Sequence, residues 1–299
     1  MNLYRAAIKE LRTVRDLLRF AVSRFQQAQL HYGHGTSNAY DEAAYLILHT
    51  LHLPIDSLNP YLDARLTESE REAIVQVLER RVKERIPAPY LTQEAWLQGY
   101  AFYVDLRVIV PRSFIAELLL DQLAPWVQDP HQVGQILELC TGSGCLSIIA
   151  AEVFPNAKII AADISPAALE VARKNVDTYG LQQRIRLLES DLFAQVPKKK
   201  FDLILVNPPY VPAASMDALP AEFRAEPELA LSGGQDGLDL VHQLLSQAGQ
   251  YLKKNGLMLV EVGHERPAVE AAYPDLPLTW LSTSAGDDMV FLVAGGSVP

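Results

Sequence analysis

Glu138-Leu139-Cys140-Thr141-Gly142-Ser143-Gly144-Cys145 is the stretch that decides how the second half of the chain folds. It joins an apolar run over residues 135–140, typical of a buried strand, to a helical pattern that begins near Leu146. Glycines at such a junction let the backbone turn sharply and approach a ligand closely, because they carry no Cβ. The stretch therefore predicts a strand–turn–helix unit of an α/β domain, with a ligand site at the turn.

Strand and helix patterns alternate on the C-terminal side of this unit. Further strands are predicted at residues 158–163, 184–189, 201–206, 256–262, 278–281 and 289–294. A helix between the second and third strands is marked by Ser165 as its cap and Pro166 in its first turn. This alternation predicts a parallel, doubly wound sheet, which binds ligands at the carboxyl ends of its strands.

The N-terminal part of the chain is predicted to be helical. Thr67 and Glu70 form a capping-box pattern at the start of one of these helices. Apolar and polar residues then alternate as far as Val110, which predicts strands of a hairpin, and a helical pattern returns from Arg112 to Trp126. We therefore expect a helical domain at residues 1–90, a β-hairpin connector at 91–112 and an α/β domain at 113–299.

Composition narrows the class of protein. The chain has 299 residues, a formal net charge of −10 and two cysteines, Cys140 and Cys145. So few thiols indicate a reducing compartment, and the charged N-terminus does not read as a signal peptide. No apolar run approaches the ~20 residues that a membrane helix needs. We expect a cytoplasmic protein with no membrane partner, and the acidic balance argues against direct nucleic-acid binding and suits a basic protein partner.

Three successive strand ends carry groups that adenosine would need. Glu138 and the glycine-rich turn end the first strand, Asp163 ends the second, where its carboxylate can accept from ribose hydroxyls, and Asp191 follows the third. Ser147 stands where a dinucleotide fingerprint needs glycine, and a P-loop Gly-Lys-Ser/Thr is absent. S-adenosylmethionine carries no phosphate and fits better. Its predicted contacts are Glu138, Cys140, Thr141, Gly142, Ser143, Gly144, Asp163, Ile164, Asp191, Leu192 and Asn207.

Asn207-Pro208-Pro209-Tyr210 follows the fourth predicted strand. The tetrapeptide resembles that of the amino-methyltransferases that act on planar nitrogens of adenine, guanine or glutamine. An amide nitrogen is a poor nucleophile because its lone pair is delocalised. Two acceptors, the side-chain carbonyl of Asn207 and the backbone carbonyl of Pro208, could hold both N–H bonds and aim the lone pair at the methyl donor. Prolines fix this backbone, and Tyr210 could pack on the flat substrate group.

The resemblance extends over essentially the whole chain to the family of N5-glutamine methyltransferases that modify ribosomal protein L3. It implies a seven-stranded, Rossmann-like class I methyltransferase domain and a glutamine of L3 as the substrate. Cys140 stands where the release-factor branch usually has Gly, and Phe114 stands where the family often has Pro. The similar stretches are residues 31–36, 41–44, 85–92, 95–96, 102–105, 110–113, 139–145, 226–231, 236–238 and 261–263.

Several alternatives remain open at this point. The same chemistry could act on the Gln of a release-factor Gly-Gly-Gln loop or, against the charge balance, on a nucleobase. A module that binds S-adenosylmethionine or a ribosomal partner without turnover is a further possibility. No metal site is expected, because the spacings of His31 with His34 and of His49 with His52 lack a completing Cys or carboxylate cluster.

Overall fold

The computed structural model describes residues 3–298 and divides into two compact units. The first unit runs to Glu94 and also includes Leu219–Ala225. The second unit contains Ala95–Ala218 and the residues from Glu226 onward. Sequence patterns placed residues 219–225 within the C-terminal α/β domain, so the structure differs in assigning this short segment to the helical unit.

The first unit is a bundle of helices. Thr67 accepts a hydrogen bond from the backbone of Glu70, whose side chain accepts in return from the Thr67 N–H, so the predicted capping box is confirmed. Apolar side chains at helical spacing, such as Leu17, Ala21 and Phe25, are fully buried in the core. The helices are α1 (Leu3–Glu10), α2 (Val14–Gln27), α3 (Ala39–Thr50), α4 (Glu68–Lys83) and α5 (Ala88–Thr92), with a 3-10 turn at Asn59–Tyr61.

Buried charges join the separate segments of the first unit. Arg81 of α4 is fully buried, and it donates to Glu42 of α3 at 2.7 Å and to Glu222 at 3.3 Å. Glu222 lies in the Leu219–Ala225 segment, where it also accepts from the backbone N–H of His31 at 3.2 Å. The carboxylate of Glu222 therefore holds a segment that is distant in sequence inside the helical unit.

The second unit contains a two-stranded hairpin and a seven-stranded sheet with helices. The hairpin is β1 (Glu94–Leu97) and β2 (Tyr100–Tyr103), where β1 begins at the last residue of the first unit. The sheet strands are β3 (Gln135–Leu139), β4 (Lys158–Asp163), β5 (Ile185–Glu189), β6 (Phe201–Val206), β7 (Leu252–Glu261), β8 (Thr279–Thr283) and β9 (Gly286–Ala294). The helices are α6 (Ile115–Leu120), α7 (Cys145–Val153), α8 (Pro166–Thr178), α9 (Ala213–Met216), α10 (Asp239–Tyr251) and α11 (Arg266–Ala272), with 3-10 turns at Pro130–Gln132 and Glu228–Ala230.

The strand order in the sheet is β5-β4-β3-β6-β7-β9-β8. Strands β3 to β7 pair in parallel, whereas β9 is antiparallel to both β7 and β8. The order reverses direction between β3 and β6, which is the switch point where open α/β sheets bind ligands. The predicted doubly wound α/β fold is confirmed, and its bounds for β4 and β6 match the predicted ones.

Two local predictions were wrong. The alternation up to Val110 predicts strands, but after Tyr103 the chain follows an irregular path in which Val104, Val108 and Val110 are buried. Helix α6 ends at Leu120 rather than near Trp126, since Gln122 and Leu123 adopt left-handed backbone conformations that no α-helix continues through. Tertiary burial explains the first apolar pattern without regular secondary structure, and beyond α6 it explains the apolar residue Leu123.

Candidate active site

Four strand ends lie side by side at the carboxyl edge of the sheet. Leu139 of β3 pairs with Ala162 of β4 on one side and with Val206 of β6 on the other. Val206 in turn pairs with Val260 of β7. The next residues, Asp163, Cys140, Asn207 and Glu261, are therefore neighbours along this edge, since adjacent strands lie about 4.8 Å apart. The structure thus brings the glycine-rich turn, the predicted ribose carboxylate and the diproline loop together.

The glycine-rich turn is held in an unusual backbone conformation. Cys140, Gly142 and Gly144 all have positive φ, at 57°, 53° and 81°. The N–H of Thr141 donates to the carbonyl of Ala162 at 3.0 Å, which ties the turn to β4. A Cβ on Gly144 would lie 3.3 Å from the Cβ of Ala172 on α8, so glycine permits the turn to pack on that helix.

Asp163 fixes the turn from the neighbouring strand. One of its carboxylate oxygens accepts from the N–H of Gly142 at 2.8 Å, and the other accepts from the N–H of Ser165 at 2.9 Å. Burial raises the pKa of Asp163, and these hydrogen bonds oppose the rise. Ile164, directly after it, is 49% exposed and offers an apolar surface at the same edge.

Glu138 lies beneath the turn. Its side chain is 2% exposed, and its Oε2 accepts from the hydroxyls of Thr141, at 2.7 Å, and Ser147. Burial raises the pKa of Glu138 to about 7. The position that a dinucleotide fingerprint reserves for glycine is thus used here by Ser147 to hold a buried carboxylate.

The loop after β5 completes the three predicted adenosine-binding segments. The N–H of Ser190 donates to the carbonyl of Asp163 at 2.9 Å, which places this loop beside β4. Asp191 is exposed, whereas Leu192 is buried with a φ of 44°. Burial raises the pKa of the Cys140 thiol, and the negative charges of Asp163, Glu138 and Asp191 add to that rise. Cys140 therefore lies among three carboxylates as a neutral thiol, and neither cysteine forms a disulfide.

The diproline loop is held by backbone hydrogen bonds just after it and by close packing of Tyr210 on Gly263. Val211 donates to the carbonyl of Leu231 at 2.8 Å and accepts from Gly233 at 2.9 Å, so the residues after Tyr210 pair with a later loop. A Cβ on Gly263 would lie 2.6 Å from Cε2 of Tyr210, which shows how closely the Tyr210 ring packs on that backbone. Burial, and next the charge of Glu261, raise the pKa of Tyr210 to about 12, so Tyr210 is a neutral phenol.

Sequence patterns did not single out two carboxylates that hold the same region. Glu261 is 2% exposed and accepts from the hydroxyl of Ser113 at 2.6 Å and from the N–H of Phe114 at 2.9 Å. Glu226 is also buried, and Arg112 donates to its two oxygens at 2.6 and 2.7 Å. In the sequence, Glu261 is marked only by its position at the end of a predicted strand. The register between β6 and β7 shows that it lies beside Asn207.

Within residues 3–298, no group of three or more His, Cys, Asp and Glu side chains is placed to hold a metal ion. Over the same residues, no helix has the length and apolar character that crossing a membrane would require. The predicted site residues described above supply carboxylates, hydroxyls, backbone groups and the Asn207 carboxamide.

Comparison with known proteins identifies the class to which the chain belongs. A family model described as "Methyltransferase small domain" matches residues 115–234, which include every one of the predicted site residues. The hMettl16 catalytic domain, solved with the MAT2A 3'UTR hairpin 1, superposes with a TM-score of 0.52 at 14% identity over 85% of this chain and 91% of that one, a likeness of fold alone. The chain is an enzyme of the methyltransferase class, with a Rossmann-like class I fold.

Whole-length relatives narrow this class to one family. A "Ribosomal protein uL3 glutamine methyltransferase" of Burkholderia pseudomallei is 57% identical, over 96% of this chain and 96% of that protein. Proteins of the same name from Neisseria meningitidis serogroup B and Bordetella pertussis are 57% and 55% identical, over 97% and 95% of this chain and 96% of each relative. The chain belongs to the family of ribosomal protein uL3 glutamine methyltransferases.

Proposed function

We propose that this chain transfers a methyl group from S-adenosylmethionine to the side-chain amide nitrogen, N5, of a glutamine in ribosomal protein uL3. The observation that carries the proposal is the strand register that sets Asn207 next to Cys140 and Asp163 at one sheet edge. A donor on the glycine-rich turn and an amide on the diproline loop would then be neighbours. The names of the relatives supply the substrate, glutamine of uL3.

The groups at the sheet edge fit S-adenosylmethionine, which supplies an electrophilic methyl group on a cationic sulfonium. Asp163 would accept from the ribose hydroxyls, and the exposed Ile164 would cover one face of the adenine. Asp191 and Leu192 would meet the adenine from the next loop, and Glu138 would add negative charge from beneath the turn. Carboxylates so close together favour a cationic ligand and would repel a pyrophosphate.

The diproline loop supplies the acceptors for the substrate amide. No hydrogen bond ties the Asn207 carboxamide to another residue in the described range 3–298, so its oxygen can accept from a glutamine N–H. The carbonyl of Pro208 would accept from the second N–H. Holding both N–H bonds orients the nitrogen lone pair, and orientation of this kind is worth roughly 7–11 kcal/mol in well-aligned reactions. No base is required before the transfer, because the proton leaves a nitrogen that has become cationic.

We propose that the first unit recognises the protein substrate around the glutamine, and that the acidic net charge favours a basic partner. Glutamine is longer than asparagine by one methylene, and a pocket discriminates such a difference by only about 1–3 kcal/mol. The enzyme must therefore also contact the protein that surrounds the glutamine. We assign that role to the helical unit at residues 1–90, with the segment 91–112 as connector to the catalytic residues 113–299. A ribosomal-protein substrate makes the cytoplasm the expected compartment, with no nucleic acid bound directly.

The test uses purified chain and uL3 from cells that lack the enzyme, with labelled S-adenosylmethionine as donor. Wild-type enzyme should add one methyl group to a uL3 glutamine, located by tandem mass spectrometry. Asn207→Ala should lower kcat by roughly 10²–10³-fold, because one of two acceptors for developing charge is lost. Asn156→Ala is the control, since this exposed asparagine of the same unit bonds only the carbonyl of His131.

Rival substrates are measured in the same assay. Release factors with an unmethylated Gly-Gly-Gln loop, and ribosomal RNA, replace uL3 in parallel reactions. Label in a release factor or in RNA, with none in uL3, would overturn the proposed substrate. Equal activity of Asn207→Ala and Asn156→Ala would overturn the proposed role of the diproline loop.

A further inference from the structure

Asn175 of α8 is a buried amide whose polar atoms are all engaged. The residue is 2% exposed, and its Oδ1 accepts from the N–H of Tyr103 at 2.7 Å. Its Nδ2 donates to the carbonyl of Tyr103 at 3.0 Å and to the carbonyl of Ser143 at 2.9 Å. One side chain thus joins strand β2 of the hairpin to the glycine-rich turn.

The same face of α8 supports the turn through packing. Ala172 lies three residues before Asn175, so both project from one side of the helix. Ala172 is the residue that a Cβ at Gly144 would crowd, at 3.3 Å between the two Cβ atoms. The turn is therefore fixed by a hydrogen bond at Ser143 and a close contact at Gly144, both from α8.

The turn needs such external support. Cys140 and Gly142 hold left-handed conformations, and a non-glycine residue seldom adopts φ near 57° without surrounding constraint. Asp163 restrains the turn from β4 through the N–H of Gly142, and Asn175 restrains the opposite side through the carbonyl of Ser143. Removing the Asn175 amide would leave that carbonyl buried without its donor, which favours other conformations of the turn.

We propose that Asn175 is a positioning residue that holds the glycine-rich turn in the shape that receives S-adenosylmethionine. The inference rests on the proposed function, since it assigns the turn to that donor. Asn175 acts through the backbone of Ser143 and does not itself touch the reacting atoms. When the turn populates other conformations, the measured affinity equals the intrinsic affinity multiplied by the fraction of molecules that keep the competent conformation.

Tyr179 provides a matched control in the same region. Its hydroxyl donates to the carbonyl of Ala101 on β2 at 2.9 Å, so it links the C-terminal end of α8 to the same hairpin strand. It makes no hydrogen bond to the glycine-rich turn within the described residues. Tyr179→Phe therefore weakens hairpin attachment alone, whereas Asn175 variants affect both the hairpin and the turn.

The experiment compares the full-length wild type with Asn175→Asp, Asn175→Ala and Tyr179→Phe. Calorimetric titration gives the affinity for S-adenosylmethionine and S-adenosylhomocysteine, and hydrogen exchange follows the amides of Gly142 and Gly144 without ligand. Asn175→Asp keeps an acceptor for the Tyr103 N–H but cannot donate to Ser143 when ionised. It remains informative if Asn175→Ala does not fold.

We expect both Asn175 variants to bind S-adenosylmethionine roughly tenfold more weakly and to exchange the turn amides faster. The KM for uL3 should stay within about twofold, and Tyr179→Phe should match the wild type in both donor affinity and turn exchange. Donor affinity unchanged in Asn175→Asp, or lowered equally in Tyr179→Phe, would overturn the inference. A wild-type chain that binds neither ligand would instead overturn the proposed function on which it rests.

Discussion

The two units differ in net charge. Residues up to Glu94 contain 12 basic and 12 acidic side chains, and Leu219–Ala225 adds one of each, so the helical unit is neutral. The net charge of −10 therefore belongs entirely to the methyltransferase unit. Any long-range attraction of a basic protein substrate would come from the catalytic unit, although the helical unit is the one we assign to substrate recognition.

The two units also differ in the groups that hold their buried carboxylates. In the helical unit, Arg81 pairs with Glu42 and Glu222, and Arg85 pairs with Glu222 as well. In the methyltransferase unit, Glu138 and Glu261 are held by hydroxyls and a backbone N–H, and burial raises the pKa of each to about 7. Ion pairs thus join distant segments of the helical unit. The methyltransferase unit has such a pair, Arg112 with Glu226, and holds two further buried carboxylates with hydroxyls and a backbone N–H.

The largest effect should follow from breaking the buried network of the helical unit. Arg81→Met leaves Glu42 buried without its cationic partner and leaves Glu222 with Arg85 alone. Breaking a buried pair in this way costs about 3–5 kcal/mol of unfolding free energy. Arg15→Met is the control, because its ion pair with Asp63 is exposed and should contribute little. Urea denaturation measures both. Equal denaturation midpoints for the two variants would contradict the expected difference between a buried and an exposed ion pair. Adding Glu42→Gln and Glu222→Gln to Arg81→Met should recover part of the lost unfolding free energy.

A smaller effect should appear in the pH dependence of folding stability, through the buried Glu138 of the methyltransferase unit. The folded pKa of Glu138 is about 7, above its ordinary 4.5, so the folded state binds the proton more tightly. Its contribution to stability is fully present below about pH 4.5 and is lost as the pH rises to about 7. Glu138→Gln removes this term, so its stability relative to wild type should rise by up to about 3 kcal/mol across that window.

Thermal denaturation at several pH values measures this change. Glu152→Gln is the control, since Glu152 lies exposed on α7 of the same unit. The relative stability of that control should not vary with pH. A pH-independent difference between Glu138→Gln and wild type would mean that folding does not raise the pKa of Glu138.

The smallest effect concerns the acidic balance of the catalytic unit. If its net charge steers uL3, the kcat/KM for uL3 should fall several-fold as salt rises from low to twice physiological ionic strength, because screening shortens the range of attraction. The kcat at saturating uL3 should change little. Steady-state kinetics with intact uL3 measure both quantities, and a kcat/KM independent of salt would show that the charge does not guide association.

Local patterns were sufficient for much of the fold and for the main site segments. Strand β4 ends at Asp163 and β6 ends just before Asn207, as the apolar runs predict. Parallel strands that are buried on both faces have near-continuous apolar sequences, which makes their ends easy to locate. Glycines, a strand-end carboxylate and the diproline loop likewise carry their signals locally. The roles proposed for these residues remain predictions, whereas the structure confirms the fold that brings them together.

Other features depended on contacts between residues distant in sequence. Asn175 reads as an ordinary polar residue of a helix, and only the path of β2 and the turn shows that it joins them. Glu261 gains its place from pairing between β6 and β7. The irregular chain after Tyr103 and the early end of α6 were mispredicted, because apolar periodicity reports burial as well as secondary structure.

The assignment of Leu219–Ala225 to the helical unit has a consequence during synthesis. As the chain emerges from a ribosome, α1 to α5 are complete long before Glu222 is made. Until then Arg81 lacks one of its two carboxylates, and His34 lacks the ring of Phe223 that lies 4.4 Å from it. The helical unit therefore lacks the Glu222 and Phe223 contacts until strands β3 to β6 have been synthesised.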